Sequence, residues 1–123
     1  MPVIERYEVH PITLHYLIAA LWSSTDNEGE PLDKNFELCD LAPETIEQAE
    51  ADCSKFLAAN FADIPVERYE QAGHDFWLTR NRHGAGFWDG DWPDEAGRRL
   101  SESSHTFREI DLYVGDDGLL YFV

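Results

Sequence analysis

The chain has 123 residues, 43% of them hydrophobic and 13% aromatic, which suits a single domain with one core, and a second domain is not expected. Its 25 Asp and Glu face only 9 Lys and Arg, a formal net charge of -16. A field of that sign repels nucleic-acid phosphates and anionic lipid and attracts basic protein surfaces, so direct nucleic-acid and membrane binding are not expected and a basic protein partner is.

In chain order, a short extended lead closes at Pro11. Leu14, Leu17, Ile18, Leu21 and Trp22 then recur at three- and four-residue spacing, predicting a helix over residues 11–23. The lead carries Glu5, Arg6 and Glu8 and has no apolar h-region, and the run Leu17 to Trp22 is too short to span a bilayer. A cytoplasmic protein is therefore expected. Residues 26–34 hold turn formers and charge without periodicity and read as a solvated loop. Pro43 suits a first helical turn, Glu44 and Glu47 suit the positive end of a helix dipole, and Ile46, Ala49, Cys53, Phe56 and Leu57 form a stripe, predicting a helix over residues 43–61. Cys53 on that stripe acts as a small hydrophobe, and both it and Cys39 are expected to be reduced. A short helical turn is expected between residues 65 and 71.

The pattern changes at Gly73. Residues 74–80 alternate aromatic and polar side chains and read as a strand, residues 81–86 as its turn, and residues 86–88 as the returning partner. Residues 92–107 carry a weaker helical pattern interrupted by Gly97. Residues 110–114 and 119–122 flank Asp116-Asp117-Gly118 and predict a hairpin with a tight primed turn. The expected class is α+β, an antiparallel sheet built from two hairpins with helices packed on one face.

Charge is distributed unevenly. Between Asp26 and Asp63 stand eleven acids against Lys34 and Lys55, while Arg80, Arg82, Arg98, Arg99 and Arg108 lie later. On the second helix Glu44 and Glu47 fall opposite the apolar stripe, with Glu50 and Asp52 on its flanks. Charge runs are usually only solvated faces, and a salt-adapted proteome is also acid-rich and lysine-poor. Concentration in one segment argues against both accounts, since a salt adaptation spreads carboxylates over the whole surface. The functional alternative is a surface that imitates the phosphate array of duplex DNA, about one charge per 1.7 Å of axis. Its candidate partner-binding residues are Asp26, Glu28, Glu30, Asp33, Glu44, Glu47, Glu50 and Asp52.

The stretch from His74 to Trp92 is the densest in aromatic, histidine and acidic residues. His74, Asp75, His83, Asp89 and Asp91 are ligand types for a divalent metal, though without a recognised ligand spacing. The competing account makes Phe76, Trp77, Phe87 and Trp88 core, with Arg80 and Arg82 paired to nearby carboxylates. His83-Gly84-Ala85-Gly86 is no phosphate loop, since no Gly-Lys-Ser/Thr follows, and Ser101, Ser103 and Ser104 near His105 lack a nucleophile elbow. Asp116-Asp117-Gly118 and Asp26-x-Glu28-x-Glu30 lack the ligand and glycine spacing of a calcium loop. No catalytic residue and no cofactor is expected.

Three segments carry a resemblance: His74-Asp75-Phe76-Trp77-Leu78-Thr79-Arg80-Asn81 with His83-Gly84-Ala85-Gly86-Phe87-Trp88-Asp89, Leu112-Tyr113-Val114-Gly115-Asp116-Asp117-Gly118, and Ala20-Leu21-Trp22-Ser23-Ser24-Thr25-Asp26. Over residues 17–122 the chain resembles a family of small acidic proteins encoded by bacteriophages and prophages. The family's position corresponding to Arg82 is often glycine, so a less tight turn is expected here. The resemblance implies a phage or mobile-element origin and no catalytic residue. With the charge argument, it leads to the expectation of a non-enzymatic inhibitor of a basic nucleic-acid-binding host defence complex of the CRISPR or restriction type. The alternative is a small metal-binding or metal-dependent protein centred on residues 74–91.

Overall fold

A computed structural model describes residues 3–4, 7–83 and 85–123, and what was expected of Glu5, Arg6 and Gly84 lies outside these residues. Two short strands, β1 (Val3–Ile4) and β2 (Tyr7–Glu8), lead into α1 (Pro11–Ser23). Then come α2 (Pro43–Asn60), α3 (Tyr69–Arg80), α4 (Asp94–Ser104), and strands β3 (Leu112–Val114) and β4 (Leu120–Phe122), with two 3-10 turns between α1 and α2 and two between α2 and α3. The class is α+β. β1 pairs with β2 and β3 with β4, both antiparallel, as two separate two-stranded sheets.

α1 starts where Pro11 fixes the first turn and the His10 ring nitrogen accepts the Ile12 N–H at 3.1 Å. It lies chiefly against α3. The contact is close because residue 73 is glycine: a Cβ there would stand 2.1 Å from the Ile12 carbonyl oxygen. Below the crossing, Phe56 of α2 stacks on Phe76 of α3 with ring centroids 4.0 Å apart, and Tyr16 and Phe107 meet the edge or face of Phe76. Trp77 is held between Tyr16 and Phe122, and its indole N–H donates to Ser23 Oγ at 2.7 Å.

Residues 74–80 are therefore helical, not a strand. From Ala72 to Arg80 every side chain but His74 is buried, so α3 has almost no polar side to set a 3.6-residue period. The chain does turn after Arg80, but as a helix end. His83 N–H reaches the Leu78 carbonyl at 2.9 Å and Arg82 N–H the Thr79 carbonyl at 3.1 Å, with Arg82 left-handed at φ 57°. That is a Schellman cap. The turn expected to loosen at Arg82 instead keeps the conformation glycine would adopt most easily.

The C-terminal hairpin forms where expected, with a different turn. Gly118 N–H bonds to the Gly115 carbonyl at 3.0 Å and Gly115 N–H to the Leu119 carbonyl at 2.7 Å. Gly118 alone in the turn has positive φ, 82°, which makes a type I turn followed by a bulge and not a primed turn. β4 leans on the start of α2 through Ala42 N–H and Thr45 Oγ1, both donating to the Leu120 carbonyl at 3.1 and 2.8 Å. No helix among the described residues is long and apolar enough to cross a membrane.

Candidate docking face

The eight candidate acids divide sharply. Glu28, Asp33, Glu44 and Glu47 are exposed, and among the described residues none joins an ion pair. The other four are engaged. Asp26 Oδ1 accepts the N–H groups of Glu28 and Glu30 at 2.8 and 3.0 Å, shaping the loop. Glu30 pairs with Lys34 at 3.1 Å. Glu50 accepts the His10 N–H at 2.9 Å, tying α2 to the start of α1.

Asp52 departs furthest from a surface role. Its Oδ2 lies 2.7 Å from Arg80 Nη1, where the arginine side chain is 3% exposed and the carboxylate 16%. The same guanidinium donates to Tyr16 Oη at 3.0 Å and, through Nε and Nη2, to the Arg108 carbonyl at 3.0 and 2.5 Å. Desolvation around this network pushes the Tyr16 phenol well above its ordinary range. Asp52 is thus the counter-charge of a buried arginine. It belongs to the core, not to the docking face.

On α2 the outward acidic stretch is consequently short. Beyond Glu44 and Glu47 the exposed side continues as Gln48, Ala51, Ser54 and Lys55. Glu44 and Glu47 are separated by about 4.5 Å of helix rise, sparser than duplex phosphates. What extends the acidic surface is the C-terminal hairpin, which the charge count over residues 26–63 passed over. Glu44 is near enough to Tyr121 to help raise its phenol pKa. Exposed Glu109, Asp111, Asp116 and Asp117 ride on that hairpin, and loop residues Asp26 and Glu28 line a cavity of about 440 Å³ with Tyr113 and Val114. Two further cavities, of about 550 and 350 Å³, also reach Tyr113, and among the described residues no Lys or Arg lines any of the three. The signal lay in the sequence as a hairpin studded with acids. Its place beside α2 rests on contacts some 75 residues apart in sequence.

The proposed metal-ligand residues do not converge. Asp75 is 1% exposed, and its oxygens lie within 3.0 Å of His74 Nδ1, Gln71 Nε2 and Trp92 Nε1. It satisfies a tryptophan and a glutamine inside the fold. Asp89 Oδ2 accepts the Gly86 N–H at 3.2 Å, and His83 and Asp91 are exposed elsewhere. Among the described residues no three His, Cys, Asp or Glu are placed to hold a metal ion. Phe76, Trp77 and Phe87 are core, whereas Trp88 is 49% exposed. Arg80 has its carboxylate; Arg82 is exposed and joins no ion pair among the described residues.

Set against models of known protein families, curated proteins and solved structures, the chain matches none of them.

Proposed function

We propose that this protein is a non-enzymatic binding module that docks its acidic face on a cationic groove of a nucleic-acid-binding host protein and so inhibits it. The observation that carries this reading is the exposure of Glu28, Asp33, Glu44 and Glu47 without cationic partners among the described residues, beside a hairpin bearing four more exposed acids. A net charge of -16 costs stability through self-repulsion, which a complementary partner relieves. The resemblance to small acidic phage proteins supports the same reading, with a defence complex of the CRISPR or restriction type as the target. Asp52, Glu50 and Asp26 leave the set of partner-facing residues, because each already serves the fold.

The test is direct binding to a guide-loaded CRISPR effector and to a restriction enzyme, with duplex DNA as competitor. Reversing Glu28, Asp33, Glu44 and Glu47 to lysine together is expected to weaken binding at least about tenfold, and raising salt from about 0.1 M to about 0.5 M to weaken the native interaction by a similar factor. Binding that ignores both changes would exclude charge-driven docking.

A further inference from the structure

β3 is an edge strand whose outward main-chain groups lack partners. Asp111 and Val123 exchange both backbone hydrogen bonds, at 3.1 and 3.0 Å, and Gly115 bonds to Leu119. Tyr113 and Tyr121 are the hydrogen-bonded pair between them, so the intervening Leu112 and Val114 direct their N–H and C=O groups away from β4. Among the described residues nothing bonds to those outward groups. The neighbouring outward N–H, on Ile110, is taken by Asn81 Oδ1 at 2.8 Å, as a strand carbonyl would take it. Leu112 is only 3% exposed, whereas Val114 is half-buried and Tyr113 exposed, so the edge is more open toward Val114. The cavities of about 550 and 440 Å³ lie along it, walled on the other side by Ser23, Ser24, Thr25 and the acidic loop.

We infer that this groove receives an extended, basic segment of a partner protein, added antiparallel or parallel as a third strand on β3. An edge with unpaired groups is a ready template for strand addition, and main-chain bonds supply the affinity. Leu112 and Val114 offer about four such bonds. Charge selects the occupant: Glu28, Glu109 and Asp111 line the groove, and among the described residues no Lys or Arg does. A second copy of this chain is disfavoured, since each copy carries a charge of -16. The basic character of the partner, Glu28 and the hairpin acids are shared with the reading above, but the main-chain edge of Leu112 and Val114 is not.

The experiment uses the full ¹⁵N-labelled chain and a capped peptide, Arg-Val-Arg-Val-Arg-Val, with three comparison probes: the Glu-Val analogue, and the Arg-Val peptide N-methylated at its arginines or at its valines. With the parent peptide, amide exchange at Leu112 and Val114 is expected to slow at least about tenfold. The Glu-Val peptide leaves it unchanged. One N-methylated form abolishes the slowing and the other keeps it, because only one edge of the peptide meets β3. Val114→Pro removes an outward donor without touching the β3–β4 ladder and is expected to weaken the parent peptide alone. If both methylated forms protect equally, or the peptide binds without slowing these amides, the interaction is mere charge attraction and the inference is overturned. Protection that grows with protein concentration in the absence of peptide would assign the edge to a second copy instead and overturn it too. Glu44→Gln with Glu47→Gln leaves the peptide effect in place, so failure of the effector-docking reading and failure of strand addition are told apart.

Discussion

Glu47 and Asp52 lie on the same helix, and their formal charges count equally toward the total. Glu47 faces solvent, whereas Asp52 turns toward α3 and neutralises a guanidinium that Tyr16, Phe76 and Phe107 surround. The difference is one of register. Residues in phase with Pro43, Glu44 and Glu47 see water, and those near the Cys53 phase see the core. Net charge alone therefore overstates the carboxylates available to a partner, since part of it stabilises the interior.

The largest expected effect breaks this comparison directly. Removing Asp52 leaves Arg80 as a buried charge with no carboxylate, which costs about 3–5 kcal/mol, while Glu47→Ala is expected to stay within about 0.5 kcal/mol of the native value. Urea unfolding of the two variants measures both. Asp52→Ala combined with Arg80→Met should recover much of the loss, because an apolar side chain needs no counter-ion. If Asp52→Ala is as mild as Glu47→Ala, the division between structural and partner-facing acids fails. The same result warns that lost binding in an Asp52 variant reports unfolding, not a lost contact.

Arg80 and Arg82 sharpen the comparison on the basic side. Arg80 is enclosed by α3's packing, and Arg82 stands just past the helix end, exposed and left-handed. A side chain in that conformation costs about 1 kcal/mol or more, which glycine avoids. Arg82→Gly is expected to raise the unfolding free energy by up to about 1 kcal/mol despite removing a surface cation and loosening the unfolded chain. A loss of stability would show that the side chain contributes something beyond its backbone geometry.

These residues also show where the sequence was readable. α1 and α2 each carry one apolar stripe beside polar positions, so their limits follow from periodicity and from Pro11 and Pro43. The exposure of Glu44 and Glu47 follows from the same phase. α3 carries no such contrast, because Phe76, Trp77, Leu78 and Arg80 are all enclosed, and Gly73 looked like a break when it marks the crossing with α1. With residues 74–80 taken as a strand, a carboxylate partner for Arg80 is expected but Asp52 on α2 is not indicated as that partner, so Asp52 stays among the partner-facing acids. The hairpin at residues 112–122 was legible locally. Its docking against Ala42 and Thr45 was not, since nothing in either segment's pattern specifies the other.

Asp117 tests whether an acid at the surface is thereby uncommitted. It accepts the Tyr121 hydroxyl at 2.5 Å and the Leu119 N–H at 3.0 Å, and these bonds hold its carboxyl below the ordinary aspartate value. The same bond to Asp117 is the main reason the Tyr121 phenol is pushed up to about 12. For the phenol, whose folded pKa is raised, the stabilising contribution is complete below its unfolded value of about 10 and is lost as pH rises through about 12. For the carboxyl, whose folded pKa is lowered, it is complete above about 4 and is lost as pH falls through the depressed value. The hairpin tie therefore spans the whole neutral range and fails only at the two extremes. Near-ultraviolet titration of phenolate absorbance should show a component ionising near pH 12 that moves toward 10 in Asp117→Asn, since an amide accepts the hydroxyl more weakly than a carboxylate and does not oppose phenolate charge. An unchanged titration in that variant would make Asp117 as uncommitted as the other exposed acids of the hairpin, Glu109, Asp111 and Asp116.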